Sequence, residues 1–276
     1  MRVCLAAVFL IPILAIGQAS DYITRPATKI DYYLNLYNRA DGSSGSTHQV
    51  LSFAEKLEGK KLSFERNKDF LEYLFTKTHQ RFLKHYTDYT SFGEMLSQGT
   101  YNCLTGTALY ALLLDQVGIG YQIIETNYHI FLLAHTDEGS ILFETTDPTN
   151  GFVSDSAEIE KRITHYRQNS IQKVKSNKTY YRYNFDLYND VNLDQMLGLL
   201  HYNLSIVAYN QQELPTAIDH LSKAMELYQS PRIEEFSRII LLSVIESNLD
   251  ASVKEKCLDN LQSIRKRQFA VTASVN

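Results

Sequence analysis

Cys103, His129 and Asp147 bring a thiol, an imidazole and a carboxylate, in that order along the chain. A cysteine that attacks an acyl carbon needs a base beside it, and the base needs a third group to hold its ring in the useful tautomer. Cys103 heads the apolar run "YNCLTGTALYALLLDQVGI", directly after Asn102, a residue type that caps helices. First-turn N–H groups have no intrahelical acceptor and the helix dipole favours an anion, so this place suits a thiolate and offers donors to a developing oxyanion. The dipole alone is worth about 0.3–1 kcal/mol, so the thiol also needs a basic partner.

The strands that follow supply one. "YHIFLLA" and "SILFETTD" alternate as strands and are separated by His135–Gly139, a hairpin loop. With the turn centred on Glu138, His135 faces Ile141, Leu133 faces Phe143 and His129 faces Asp147. Opposite Cβ atoms lie about 4.5–5.5 Å apart, within reach of an imidazole–carboxylate bond. A one-residue slip breaks this pairing. Thr105, Gly106 and Thr107 together disfavour the helix by about 2 kcal/mol relative to alanine, which suggests tight packing there, for instance against the strand of His129. Taken singly, Cys103 reads as a small core hydrophobe, His129 as a core histidine and Asp147 as a turn former before Pro148. Taken together they read as a site.

The elements around them are of two kinds. From Asp21 to about Gln98 apolar residues recur at helical spacing, with "DGSSGST" as a loop. Gly118 and Gly120 end the Cys103 helix, three β-rich runs follow, and Pro148 closes the third. Residues 152–195 read as one helix near Ala157–Gln168 and a Tyr-rich connection. From about Met196 the chain is helical, and "LHYNLSIVAYNQQELPTAIDHLSKAMELYQSPR" resembles a tetratricopeptide repeat, with Leu204, Ser205, Ala217, Leu221 and Ala224 at its small and apolar positions. "FSRIILLSVIESNLDASVKEKCLDNLQSIRK" reads as a second, degenerate hairpin. So few units do not make a free-standing solenoid; they would pack on the preceding domain and offer a surface to a protein partner.

The first residues, "MRVCLAAVFLIPILAIGQAS", have the basic start, short apolar run and small-residue end of a secretory signal peptide (residues 1–19). The expectation is a secreted or periplasmic protein with no stable membrane anchor after cleavage. With 27 basic against 31 acidic residues, both spread along the chain, no basic stripe marks nucleic acid as a partner. Cys103 and Cys257 are too few for a disulfide framework, though one bridge between them stays open. No histidine or cysteine spacing suits zinc, and no Gly-rich phosphate loop is present, so no cofactor or metal is expected.

The motifs "YNCLTGTALYALLLDQVGI", "NYHIFLL" and "LFETTDP" resemble those of the transglutaminase-like superfamily, within the papain-like fold, over roughly residues 95–152. The resemblance implies Cys103 as nucleophile, His129 as base, Asp147 as third member and, as in papain-like enzymes, Gln98 as a donor to the oxyanion. It also implies acyl transfer through a thioester on peptide or protein amides, to water as a protease or amidase or to an amine as a crosslinker; the superfamily includes inactive members, so a non-catalytic binding module is the competing expectation. Phe131 stands where the superfamily frequently has Trp. The stretch between Cys103 and His129 is compact, as in small bacterial versions without calcium-regulated architecture. The expected fold is α+β: a transglutaminase-like domain at 20–190, its catalytic helix on a small antiparallel sheet, then all-α tetratricopeptide-like hairpins at 191–270.

Overall fold

A computed structural model describes residues 28–42, 46–168 and 186–274, with the side chains of its last helix described to residue 263. The expected signal peptide and most of the Tyr-rich connection lie outside the described residues. Three helices open the described chain: α1 (Lys29–Arg39), α2 (His48–Lys61) and α3 (Asn67–Phe82). Their apolar faces bury Leu34, Tyr37, Val50, Leu57, Phe70 and Leu74. Short strands β1 (His85–Tyr86) and β2 (Thr100–Tyr101) pair in parallel on either side of α4 (Phe92–Gln98) and deliver the chain to α5 (Cys103–Gln116). Every residue of α5 from Thr105 to Leu114 is buried. A helix apolar all round belongs in the middle of a fold, and α5 is the central helix here.

The chain then runs through β3 (Tyr121–Thr126), β4 (Ile130–Thr136), β5 (Gly139–Phe143), β6 (Phe152–Val153), α6 (Ser156–Gln168) and β7 (Tyr188–Val191). The five strands form an antiparallel sheet in the order β6-β5-β4-β3-β7. Alternation sorts its side chains into two faces. Ile123, Ile130, Leu132, Ile141 and Phe143 join the core that contains α5. Ile124, Phe131, Leu133, Leu142 and Val153 meet Ile159, Ile163 and Tyr166 of α6. The sheet is thus sandwiched between α5 and α6, and the protein is α+β.

The β4–β5 register differs by one residue from the sequence expectation. Leu132 faces Phe143, Leu133 faces Leu142 and Thr136 faces Gly139. The turn is the two-residue Asp137–Glu138, not a loop centred on Glu138. Thr136 closes it: its hydroxyl accepts from the Glu138 N–H at 3.2 Å and donates to the Gly139 carbonyl at 2.8 Å, while Gly139 takes a φ of 126° that a glycine tolerates. Every later residue of β5 therefore changes its opposite number.

Helices α7 (Leu193–Asn210), α8 (Leu214–Leu227), α9 (Pro231–Glu246) and α10 (Ala251–Ser274) complete the chain. The expected boundary at 190/191 falls inside β7, whose Val191 faces Ile123 of β3. One apolar core runs from α1 through α5 into these helices, and the Tyr37 hydroxyl donates to the Leu193 carbonyl at 2.7 Å. α7 and α8 approach closely: Ser205 Oγ donates to the Ala217 carbonyl at 2.6 Å, and a Cβ on Gly198 would lie 2.9 Å from that of Tyr228. Ala217, Leu221 and Ala224 are fully buried between them. Cys103 and Cys257 are both free thiols. Among the described residues no helix is long and apolar enough to cross a membrane.

Candidate active site

The start of α5 is fixed by a reciprocal cap. Asn102 Oδ1 accepts from the Thr105 N–H at 2.9 Å, and Thr105 Oγ1 accepts from the Asn102 N–H at 3.1 Å. Asn102 Nδ2 also donates to the Asp88 carbonyl at 3.2 Å, tying the cap to the loop after β1. Cys103 is thereby the first helical residue, half-buried, and the N–H groups of Cys103 and Leu104 have no intrahelical acceptor. The poor helix formers that follow do pack closely. A Cβ on Gly106 would lie 3.1 Å from the Thr145 side chain, Thr145 Oγ1 donates to the Cys103 carbonyl at 3.4 Å, and Thr107 Oγ1 donates to the Ile130 carbonyl at 3.4 Å. Gly106 and Thr107 thus bring the helix start against the ends of β4 and β5.

His129 sits one residue before β4 in a tight turn. The Thr126 N–H donates to the His129 carbonyl at 2.8 Å, and the His129 N–H donates to Thr126 Oγ1 at 3.1 Å. The imidazole is hydrogen-bonded through Nε2 to Glu144 Oε2 at 2.5 Å, and the Cys103 thiol is near enough to act on its titration. With Nε2 held by Glu144, Nδ1 is the nitrogen left for the thiol. Burial opposes the charged ring, but the bonds and charges of Cys103 and Glu144 outweigh it and raise its pKa to about 10.

Glu144 takes the place that the sequence assigned to Asp147. In the observed register it lies opposite Phe131 and continues the sheet face of Leu142 and Ser140, the face that His129 shares. Burial opposes its ionisation, yet bonds from His129, Thr146 and Tyr166 hold its pKa down at about 2. Oε1 accepts from the Thr146 N–H at 3.1 Å and hydroxyl at 2.6 Å, while Oε2 accepts from the Tyr166 hydroxyl at 2.6 Å. Tyr166 also lays its ring 4.8 Å from that of His129. The backbone of Glu144 is held by the turn after it, since its N–H donates to the Gly151 carbonyl at 2.8 Å.

Asp147 serves that turn instead. Its Oδ1 accepts from the N–H groups of Thr149 at 3.1 Å and Asn150 at 2.8 Å, as a turn aspartate does. Gln98 is exposed at the end of α4 and makes no hydrogen bond to Cys103 or His129 among the described residues. Two contributors were missed from sequence, each with a local signal. Glu144 is an acid directly following the apolar run "ILF", and Tyr166 stands at helical spacing from Ile159 and Ile163 on the buried side of α6.

A groove of about 1040 Å³ opens at the pair, lined by His129, Glu144, Tyr128, Asp147, Arg162 and Tyr166 among others. Cys103 is outside this lining, at the start of α5. Tyr86 is half-exposed; partial burial, then the charges of Cys103 and Asp88, raise its pKa to about 12. Chemically, the arrangement sets an imidazole bonded to an ionised carboxylate near a thiol at a helix start. Compared with family models, curated proteins and solved structures, the chain matches none.

Proposed function

We propose that the protein is an exported transglutaminase-like cysteine enzyme that cleaves peptide or protein amides through a thioester, with Cys103 as nucleophile, His129 as acid and base, and Glu144 as the orienting carboxylate. The observation that carries this reading is the 2.5 Å His129–Glu144 bond beside the capped start of α5, whose first residue is Cys103 and whose first turns pack on Ile130 and Thr145. An imidazolium next to a thiol at a helix start favours the thiolate. The thiolate attacks the amide carbon, a C–S bond forms, and the carbonyl oxygen gathers charge facing the N–H groups of Cys103 and Leu104. His129 then gives its proton to the departing amine as the C–N bond breaks, leaving an acyl-thioester and a neutral imidazole. The imidazole takes a proton from water, the resulting hydroxide attacks the thioester, and the thiolate leaves as the imidazolium re-forms. Glu144 stays ionised throughout and holds the ring.

The test is the alkylation rate of Cys103 against pH in a Cys257→Ser background, with and without His129→Ala. The reading expects fast alkylation at about pH 6 and a loss of roughly tenfold or more in His129→Ala, because the thiolate is the reactive form. A rate indifferent to His129 overturns the catalytic reading and leaves a binding module. Once activation is found, a peptide amide offered with and without a primary amine separates hydrolysis from crosslinking.

A further inference from the structure

The turn that carries His129 is held from its far side by the C-terminal helices. Arg232, the second residue of α9, donates through Nη2 to the backbone carbonyls of Thr126 and Asn127, the latter at 2.8 Å. Its Nε lies 3.4 Å from Oε1 of Glu125, a side chain only 1% exposed in β3. Tyr228, at the end of α8, donates its hydroxyl to the other oxygen of Glu125 at 2.6 Å and accepts from Asn189 of β7 at 3.0 Å. The Asn127 side chain is fixed as well, accepting from the Leu187 N–H at 2.7 Å. Thr126, whose carbonyl Arg232 holds, is the residue that closes the turn on both backbone groups of His129.

A buried carboxylate and a part-buried guanidinium are costly to desolvate, and an apolar contact of the same size commonly stabilises a fold as well or better. Here the guanidinium reaches past the carboxylate to two successive carbonyls, which an apolar side chain cannot do. Those carbonyls lie three and two residues before the imidazole, which must keep a 2.5 Å bond to Glu144 while staying in reach of Cys103. A small rotation of the turn breaks one contact or the other.

We propose that Arg232, oriented by Glu125 and Tyr228, is a positioning residue for His129, so that the C-terminal helices are part of the catalytic apparatus. This rests on the catalytic reading of Cys103 and His129. The helices complete the site from behind without touching the reacting atoms, and anything that shifts the α8–α9 junction changes the alignment of the base.

The experiment is the same alkylation profile, with the His129 imidazole titration followed by NMR, on a double variant carrying Arg232→Met and Glu125→Gln. Removing both charges leaves no unpaired buried ion. The expected result is a rate lower by between about tenfold and a hundredfold, the scale of a misplacement near 1 Å, with a downward move of the His129 titration. Arg232→Lys, which retains a charge and a donor, recovers part of both. If the double variant does not fold, Tyr228→Phe removes a single hydroxyl and is expected to slow alkylation in the same direction. Folded variants that melt at lower temperature yet retain the parental rate and titration overturn the proposal and leave the network purely structural. A parental rate that ignores His129→Ala removes the catalytic reading itself, and this inference with it.

Discussion

Replacing Glu144 by glutamine removes the charge beside His129 while keeping nearly the same shape. The side-chain carbonyl of glutamine still accepts from Nε2, so the ring keeps a neighbour; what disappears is the ionic part of a 2.5 Å bond. A hydrogen bond to a charged group is worth roughly 1.5–3 kcal/mol, and one pKa unit corresponds to about 1.4 kcal/mol, so this loss alone lowers the imidazolium by about one to two units. Burial, which already opposes the charge, then acts against a weaker counterweight. The titration of His129, raised to about 10 in the parent, should therefore fall to about 8–9, read from its imidazole proton shifts. Asp147→Asn should leave it unmoved, because the Asp147 carboxylate is spent on the Thr149 and Asn150 N–H groups. The opposite pattern, a shift in Asp147→Asn and none in Glu144→Gln, would refute the two-residue hairpin register and restore the pairing expected from sequence.

Gly151→Ala should be severely destabilising. The added Cβ would lie 2.1 Å from the Glu144 carbonyl oxygen and 2.3 Å from that of Asp147, both backbone atoms that cannot swing away, so a loss of about 3 kcal/mol in urea unfolding is expected. Gly59→Ala in α2 meets nothing within 4 Å and should gain up to about 1 kcal/mol in the same assay, which serves as the contrast. The melting temperature should peak near pH 6.5. His79 and His201 are lowered to about 4 by burial, so the unfolded chain binds more protons and their contribution, full above about 6.5, is lost as pH falls through 4. His129 has the opposite sign: its contribution is full below about 6.5 and is lost as pH rises through 10. A profile flat from about pH 4 to 10 would contradict both assignments.

The parts of the fold that were legible in sequence are those encoded by neighbours. The cap of α5 needs only Asn102 and Thr105, three residues apart, and it sets Cys103 at the helix start. The apolar periodicity of Phe70, Leu71, Leu74 and Phe75 marks α3, and all four are buried. The small residues Ser205, Ala217 and Ala224 announced the close α7–α8 contact. The division into two units was less legible, because β7 adds to the sheet from beyond a long connection and α7 shares the core of α5. No local pattern in "YNDV" says which strand it will pair with.

The third member of the candidate site depended on a finer quantity than any of these. Along a hairpin one turn residue decides every later partner, and strand alternation converts a shift of one residue into a change of face. Thr136 and Gly139 select the two-residue turn, and that choice brings Glu144 to the face of His129. The carboxylate is then secured by groups that arrive from elsewhere: Thr146 from the turn after β5 and Tyr166 from α6. Its ionisation in a buried place depends on those bonds together with the imidazole, since burial alone would push it the other way. A thiol can thus be placed at a helix start by a cap of four residues, whereas the carboxylate bonded to the nearby imidazole is chosen by a turn and held by a helix that follows later. The same reasoning extends to Arg232, which reaches the Thr126–His129 turn from α9. The farther a group stands in sequence from the atom it controls, the more its assignment must come from packing, and the more a variant there tests the site rather than the local fold.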